Sequence, residues 1–376
     1  MKRDDTCRGM IRMLRGVAVS MSMLFAAIGF GTAPSAAADI NPETYFEGKT
    51  INLIVDFKPG GGTDLHARHF ATSFGKFIPG NPQIVVRNIA PTPAGRNYVW
   101  KSKPDGLTIS FLAAPGIGVE FTDASAKFES DKFEYIGSHT GRDLMLLVRD
   151  TVPYKTLKDA KGGKVPLIMG ETVGRPEDIS GKLLAATLMA YWMDAPVKIM
   201  PIAQAGTADS LVMLERGDIN TWVGGAVWYA LPRMREGWFK KGFLRPIADM
   251  SNPDVKLASN GETTMDLENA INWLTPEQQD IWEGLALPEV LAGKTLATTP
   301  KTPPEIVKIL RTAYVNAFKD PEFAAAVEKI QREPITLING EDMQKRVVRL
   351  HAAFKRHLPE YKKYQKLIYD RYVSGK

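Results

Sequence analysis

Short apolar, β-branched runs alternate with helical patterns along most of the chain. "INLIVDF", "QIVVRNI", "LTISFLAA", "LMLLVRD", "VPLIMGE", "VKIMPIA", "DINTWVGG" and "LRPIADM" read as strands. "TDLHARHFATSFGKF", "DISGKLLAATLMAYW" and "GTADSLVMLERG" read as helices between them. Such alternation predicts an α/β protein with largely parallel sheets. A longer periodic stretch, "PPEIVKILRTAYVNAFKDPEFAAAVEKI", opens with prolines suited to a helix start and breaks before Pro321. The order of elements predicts three strands of one sheet, a crossing near "FEYIGSHTGRD", a second sheet, and a return near "FLRPIADM". This makes residues 39–139 and 243–376 a discontinuous first lobe and 140–242 a second, with a ligand cleft between them.

The amino terminus departs from that rhythm. "MKRDDTCRGMIRMLRG" carries five basic residues, the apolar run "VAVSMSMLFAAIGFGTA" follows, and Ala36 and Ala38 occupy small-residue positions before a cut. We read residues 1–38 as a secretory signal peptide, with an uncleaved anchor as the alternative, and expect a periplasmic protein. The one cysteine, Cys7, lies upstream of the apolar run, so the mature chain is expected to have neither disulfides nor thiol chemistry. Removing the segment lowers the net charge from +6 to +3, which is too weak to suggest nucleic acid. The remaining basic excess sits at the far end, where residues 341–376 hold ten Lys/Arg and four Asp/Glu. That pattern reads as a solvated helical face or as a docking surface for an acidic or membrane-bound partner.

Candidate chemistry gathers in "DFKPGGGTDLHAR". A phosphate loop of the Walker type needs Lys-Ser/Thr after its last glycine, but Thr63-Asp64 follows Gly62. The dinucleotide fingerprint also fails, because Leu65 stands where the third glycine should be. What remains is backbone chemistry: glycines let peptide N–H groups face a cleft, and a helix starting at Thr63 or Asp64 adds the positive end of its dipole. Asp64 fits as a cap or loop-bracing acceptor. The loop is then either a seat for a small anion, a carboxylate above all, or a tight strand-to-helix turn. "VPLIMGETVGRPEDISGKLL" repeats the order of strand, glycine loop and helix. There Arg175 is available for a bidentate contact with a ligand or for an ion pair with Glu177 or Asp178.

Other groups admit two readings. His66 and His69 have a spacing that could share a metal, but with Ala67, Ala71, Phe74 and Ile78 taken as the apolar face they fall on the solvated side. His139 and Arg142 at the crossing either meet a ligand or serve the wet side of a strand. Trp222, Trp228 and Tyr229, around Gly224-Gly225, either stack on an aromatic ligand or pack in the core.

"DFKPGGGTDLHAR" resembles the first ligand loop of the solute-binding receptors of tripartite tricarboxylate transporters, the Bug or TctC family. The resemblance runs in order through "VVRN", "KPDGLTISFLA", "FEYIGSHTGRDLMLLVRDTVPYKTLKD", "GRPEDISGKLLAA", "GTADSLVMLERGDIN" and "TPKTPPEIVKILRTAYVNAFKDPEF", nearly the whole mature chain. It implies a type II periplasmic binding-protein fold that closes on a carboxylate and delivers it to membrane permease subunits. It places the first anion loop on Pro59 to Asp64, the second on Gly170 to Arg175, and a rim segment on Trp222 to Gly225. Two departures stand out: the second loop carries Glu171, Thr172, Arg175 and Asp178 where the family favours small residues, and "APTPAG" replaces a glycine-rich segment after the second strand.

The candidate ligand contacts are therefore Phe57, Pro59, Gly60, Gly61, Gly62, Thr63 and Asp64, Ala113, His139, Gly170, Thr172, Val173, Gly174, Arg175 and Asp178, and Gly224 and Gly225. No catalytic residue, metal or cofactor is expected, and the receptor is expected to be a monomer that binds no nucleic acid. Two other functions use the same cleft: a lyase or dehydratase with Glu171, Asp178 or His139 as acid or base, and a receptor for a membrane sensor.

Overall fold

The eight apolar runs become eight of the eleven strands among the described residues, β4, β10 and β11 being the others: β1 (Thr50–Val55), β2 (Gln83–Asn88), β3 (Thr108–Leu112), β4 (Glu134–His139), β5 (Leu144–Arg149), β6 (Leu167–Glu171), β7 (Val197–Pro201), β8 (Thr221–Gly225), β9 (Leu244–Asp249), β10 (Lys294–Thr298) and β11 (Leu337–Asn339). The helices are α1 (Gly62–Phe74), α2 (Thr92–Lys101), α3 (Ile117–Thr122), α4 (Gly181–Trp192), α5 (Thr207–Arg216), α6 (Leu231–Met234), α7 (Pro276–Leu285), α8 (Leu287–Val290), α9 (Pro304–Lys319), α10 (Pro321–Gln331), α11 (Gly340–Arg356) and α12 (Leu358–Tyr369). These come from a computed structural model, which describes residues 40–375 except 61, 140–143, 203–206, 226–227, 252, 254–256, 291–292 and 332–333. The expected signal segment 1–38, Gly61 and Arg142 lie outside the described residues.

The larger sheet has the order β11-β4-β10-β3-β1-β2. β1 runs parallel to β2 and β3, as strand-helix-strand units require. β10 then inserts antiparallel between β3 and β4, and β11 adds antiparallel to β4. The sheet is thus mixed, not largely parallel: β10 and β11, supplied by the returning chain, run against their neighbours. α1 lays Ala67, Phe70 and Phe74 on this sheet beside Phe111 and Tyr314, all essentially inaccessible. Burying each such phenylalanine contributes about 2–3 kcal/mol. α9 ends at Lys319 and α10 starts at Pro321, the expected break, and Asp320 accepts from the amide of Phe323 at 2.8 Å.

The second body carries an antiparallel sheet, β8-β5-β9, and a parallel pair, β6-β7. Asn220 joins the two: its Oδ1 accepts from Ile168 N at 2.7 Å, and its own N–H donates to Ile168 O at 3.2 Å. Because β9 pairs with β5, the boundary expected at residue 243 falls inside this body, and the chain returns only after Asp249. The basic carboxyl-terminal segment forms α11 and α12. It buries Met343, Val347, Leu350, Phe354, Tyr361 and Ile368 and leaves Lys345, Arg349, Lys355, Lys362 and Lys366 in solvent. α11 packs on β4 and α7, whereas α12 packs on α4 and on the short turn Pro176–Asp178 of the second body, so residues expected in one lobe reach the other.

Candidate functional site

The first glycine loop leaves β1 and enters α1 almost at once. Gly60, at φ +84°, donates its N–H to Asp64 Oδ2 at 2.8 Å. Arg68 Nε donates to the same oxygen at 3.0 Å, and Asn88 Nδ2 donates to Oδ1 at 2.8 Å and to Phe57 O at 3.1 Å. Asp64 is 1% exposed, and both of its oxygens are engaged in holding the loop. Burial works against its charge, but the bonds from Arg68, Gly60 and Asn88 outweigh it and hold the carboxyl below its ordinary value. Thr63 accepts from Lys294 Nζ at 2.8 Å, which brings a cation from β10 to the mouth of α1. That lysine carries no local sequence signal, being 231 residues away.

The histidines do not sit where the sequence suggested. His66 is 2% exposed, because it shares the i, i+4 stripe of Phe70 and Phe74 that faces the sheet; the stripe chosen from Ala71 and Ile78 was rotated away from it. Its Nε2 lies 3.1 Å from His139 Nε2, and His139 Nδ1 lies 2.6 Å from the Tyr314 hydroxyl. His139, a candidate ligand contact, is thus wholly buried, stacked on Phe70 and flanked by Phe318. Burial pushes the His66 pKa down to about 3, with the charges of Lys294 and His69 acting the same way. His139 is lowered as well, first by burial. Among the described residues no group of three or more His, Cys, Asp or Glu side chains is gathered to hold a metal ion.

A cavity of about 490 Å³ opens where the two bodies meet. The ends of β1 and β3 and the start of α2 supply Phe57, Thr92, Arg96, Ala113 and Ala114, the second body supplies Glu177, Ser180, Gly181 and Lys182, and Leu285, Phe354 and Tyr361 close it. Of the expected contacts, Phe57 and Ala113 line this space. Arg96 was not foreseen: it is 4% exposed, with Nε 2.9 Å from Asp56 Oδ2, one terminal nitrogen on Ala114 O at 3.0 Å and the other on Pro115 O. It locks α2 to the ends of β1 and β3, and Gly116, at φ +67°, leaves the room its guanidinium occupies.

The second glycine loop is tied differently. The amides of Gly174 and Arg175 donate to Asp178 Oδ2 at 2.8 and 3.0 Å, and Arg175 Nε reaches Oδ1 at 3.3 Å with its side chain 73% exposed. Of the two readings of Arg175, the ion pair is the one present. The loop does not run straight into a helix: the turn Pro176–Asp178 intervenes, and α4 begins at Gly181 after Ser180. It is therefore Glu177, Ser180, Gly181 and Lys182, not residues 170 to 175, that line the cavity. Gly170 is packed under Met213 and Ile219, Val173 is buried, and Thr172 is exposed. Gly224 and Gly225 pair with Met145 and Leu144 at the end of β8. Trp222 and Trp228 are 3% and 0% exposed, core residues of the second body.

No family model matches the chain. It is 24% identical over 319 residues, 82% of its own length and 85% of the relative's, to the UPF0065 protein in gbd 5'region of Cupriavidus necator. Over 158 residues, 40% of each chain, it is 32% identical to BugT of Bordetella pertussis. These relatives agree with the resemblance to the Bug/TctC family. Solved structures agree on the fold. A TctC solute binding protein from Polaromonas overlays with a TM-score of 0.60 at 23% identity, covering 84% of this chain and 98% of that one. The periplasmic binding protein BugD gives 0.54 at 18% identity, covering 86% and 98%. Rpa4515 of R. palustris, solved with adipate, gives 0.55 at 20%, covering 85% and 98%. The architecture of the chain is thus that of the two-lobed periplasmic binding proteins, and the cavity between its two bodies is its candidate site.

Proposed function

We propose that this protein is an extracytoplasmic solute receptor that captures a small carboxylate between its two bodies and delivers it to a tripartite tricarboxylate-type membrane permease. The observation that carries the reading is the cavity lined from both sides, with Phe57 and Ala113 facing Ser180 and Lys182. A ligand seated there would touch both bodies at once, so binding and closure would be one event. The ammonium of Lys182 and the hydroxyls of Thr92 and Ser180, all in the cavity wall, supply donors suited to an anion. Adipate in the structurally similar R. palustris protein supports a carboxylate as the ligand class, and the resemblance to the Bug/TctC receptors supports the periplasm and the transporter partner.

A receptor is favoured over a lyase by where the acid and base candidates lie. His139 is buried beneath α1, Asp178 is occupied by three donors, and Glu171 faces Lys182. The reading is tested by thermal shift against a panel of carboxylates, amines and sugars. At least one carboxylate should raise the melting temperature in a concentration-dependent way, equivalent to about 2.7 kcal/mol at a hundredfold excess over Kd, and should be recovered unchanged. A shift produced by an amine or a sugar, with every carboxylate silent, would sink it.

A further inference from the structure

Among the described residues two basic side chains line the cavity, and one of them is only loosely held. Arg96 has all three nitrogens committed to Asp56 and to the carbonyls of Ala114 and Pro115, and it is 4% exposed. Lys182 is about half exposed, and its ammonium is held at long range: 3.6 Å from Glu171 Oε1 and 3.4 Å from Val223 O. The rest of the wall is chiefly apolar, with Phe57, Val119, Leu285 and Phe354, and its uncharged polar side chains are the hydroxyls of Thr92, Thr122, Ser180 and Tyr361. One acidic side chain, Glu177, lies on the same side as Lys182.

We propose that the cavity takes an amphipathic monocarboxylate, one charged end on an apolar body, and that Lys182 pairs with its carboxylate while Glu171 competes for the same ammonium. The inference rests on the carboxylate reading above and narrows it. A second carboxylate away from Lys182 would meet Phe57, Val119, Leu285 and Phe354, which cannot solvate it, or Glu177, which repels it. An apolar body gains by covering those groups. Glu171 is the natural competitor: its carboxyl lies 3.6 Å from the ammonium, near enough to attract it and too far for a strong hydrogen bond.

Hexanoate and adipate share a six-carbon chain and differ by one carboxylate, which makes them the probes. In titration calorimetry on the wild-type protein, hexanoate should bind about tenfold or more tightly than adipate. Lys182→Gln should weaken hexanoate by about tenfold, and Lys182→Arg should keep most of the affinity. Glu171→Gln should tighten hexanoate by roughly threefold, because it frees the ammonium. Lys182 is half exposed, so an unchanged melting temperature confirms that its variants fold. Adipate binding as tightly as hexanoate overturns the ligand class, and hexanoate binding equally to Lys182→Gln and wild type overturns the role of Lys182; both leave the carboxylate reading standing. A protein that binds neither acid, nor any other carboxylate of the thermal-shift panel, overturns that reading and the inference with it.

Discussion

In the first glycine loop the amide of Gly60 donates to Asp64; in the second the amide of Gly174 donates to Asp178, the same four residues on. The local grammar is shared, yet the support is not. Asp64 is buried and tied to Arg68 and Asn88, and its loop passes directly into a helix of 13 residues. Asp178 is partly exposed, its ion-pair partner Arg175 lies in solvent, and its loop passes into one short turn. What holds the second loop comes from the far end of the chain: Gln365 donates to Glu177 O and Ile179 O at 3.2 and 2.9 Å, and Tyr369 donates to Gly174 O at 2.9 Å. The lesson is that one motif can be braced from within its own lobe or from the far end of the chain, depending on what is packed behind it.

The largest test of that difference removes the two aspartates. Asp64→Ala strands the N–H of Gly60 and the donors of Arg68 and Asn88 in a buried place, and should cost about 3 kcal/mol in urea denaturation. Asp178→Ala, with solvent to replace the lost acceptor, should cost about 1 kcal/mol. Equal costs would show that the two loops are supported alike.

Next in size is an acid sensitivity built in behind the first loop. An unfolded histidine takes up a proton near 6.5, whereas burial holds His66 at about 3 in the folded protein. As pH falls from 6.5 towards 3 the unfolded state therefore binds a proton that the folded state does not, and stability is lost on acidification. For His66 alone that amounts to about 1.5 kcal/mol between pH 6.5 and about pH 5. His139 acts in the same direction. His66→Gln keeps a side-chain partner for His139 and removes one titrating base, so its urea midpoint should fall less steeply with pH. A slope identical to wild type would take His66 out of the account.

A smaller effect distinguishes the second loop. Gln365→Ala removes two hydrogen bonds from a side chain that is 5% exposed, at about 1–2 kcal/mol. Hydrogen exchange should quicken over residues 174–182 and stay unchanged over α1. Faster exchange in both places would mean that α12 braces the whole cleft and not one side of it.

Much of this was legible in the sequence, and what was not shares a cause. The strand runs, the helix break before Pro321 and the bracing role of Asp64 follow from spacings within a few residues. The burial of His66 was missed because two stripes of one helix were both plausible, and only Phe111 and Tyr314, from other elements, decide between them. Arg96 was missed because its partner Asp56 is 40 residues away, and the grip of α12 on the second loop spans 186 to 195 residues. Lys182 did have a local signal, since it follows Ser180-Gly181 at a helix start. That signal reads only as a helix cap until the cavity shows which way the helix mouth faces.

The smallest test compares the two glycines themselves. Gly60 sits at φ +84° with no atom within 4 Å of an added Cβ, so Gly60→Ala meets no clash and pays only for the backbone, about 1 kcal/mol. Gly174 lies outside the positive-φ region, and an added Cβ there would make only an ordinary contact with Asp178 Oδ2 at 3.7 Å. Gly174→Ala should therefore be neutral, or stabilising by about 0.5 kcal/mol because the unfolded chain loses freedom. If both substitutions cost the same in urea denaturation, the second loop is as tightly specified by its backbone as the first. The difference between the loops would then lie in Asp178 and α12 alone.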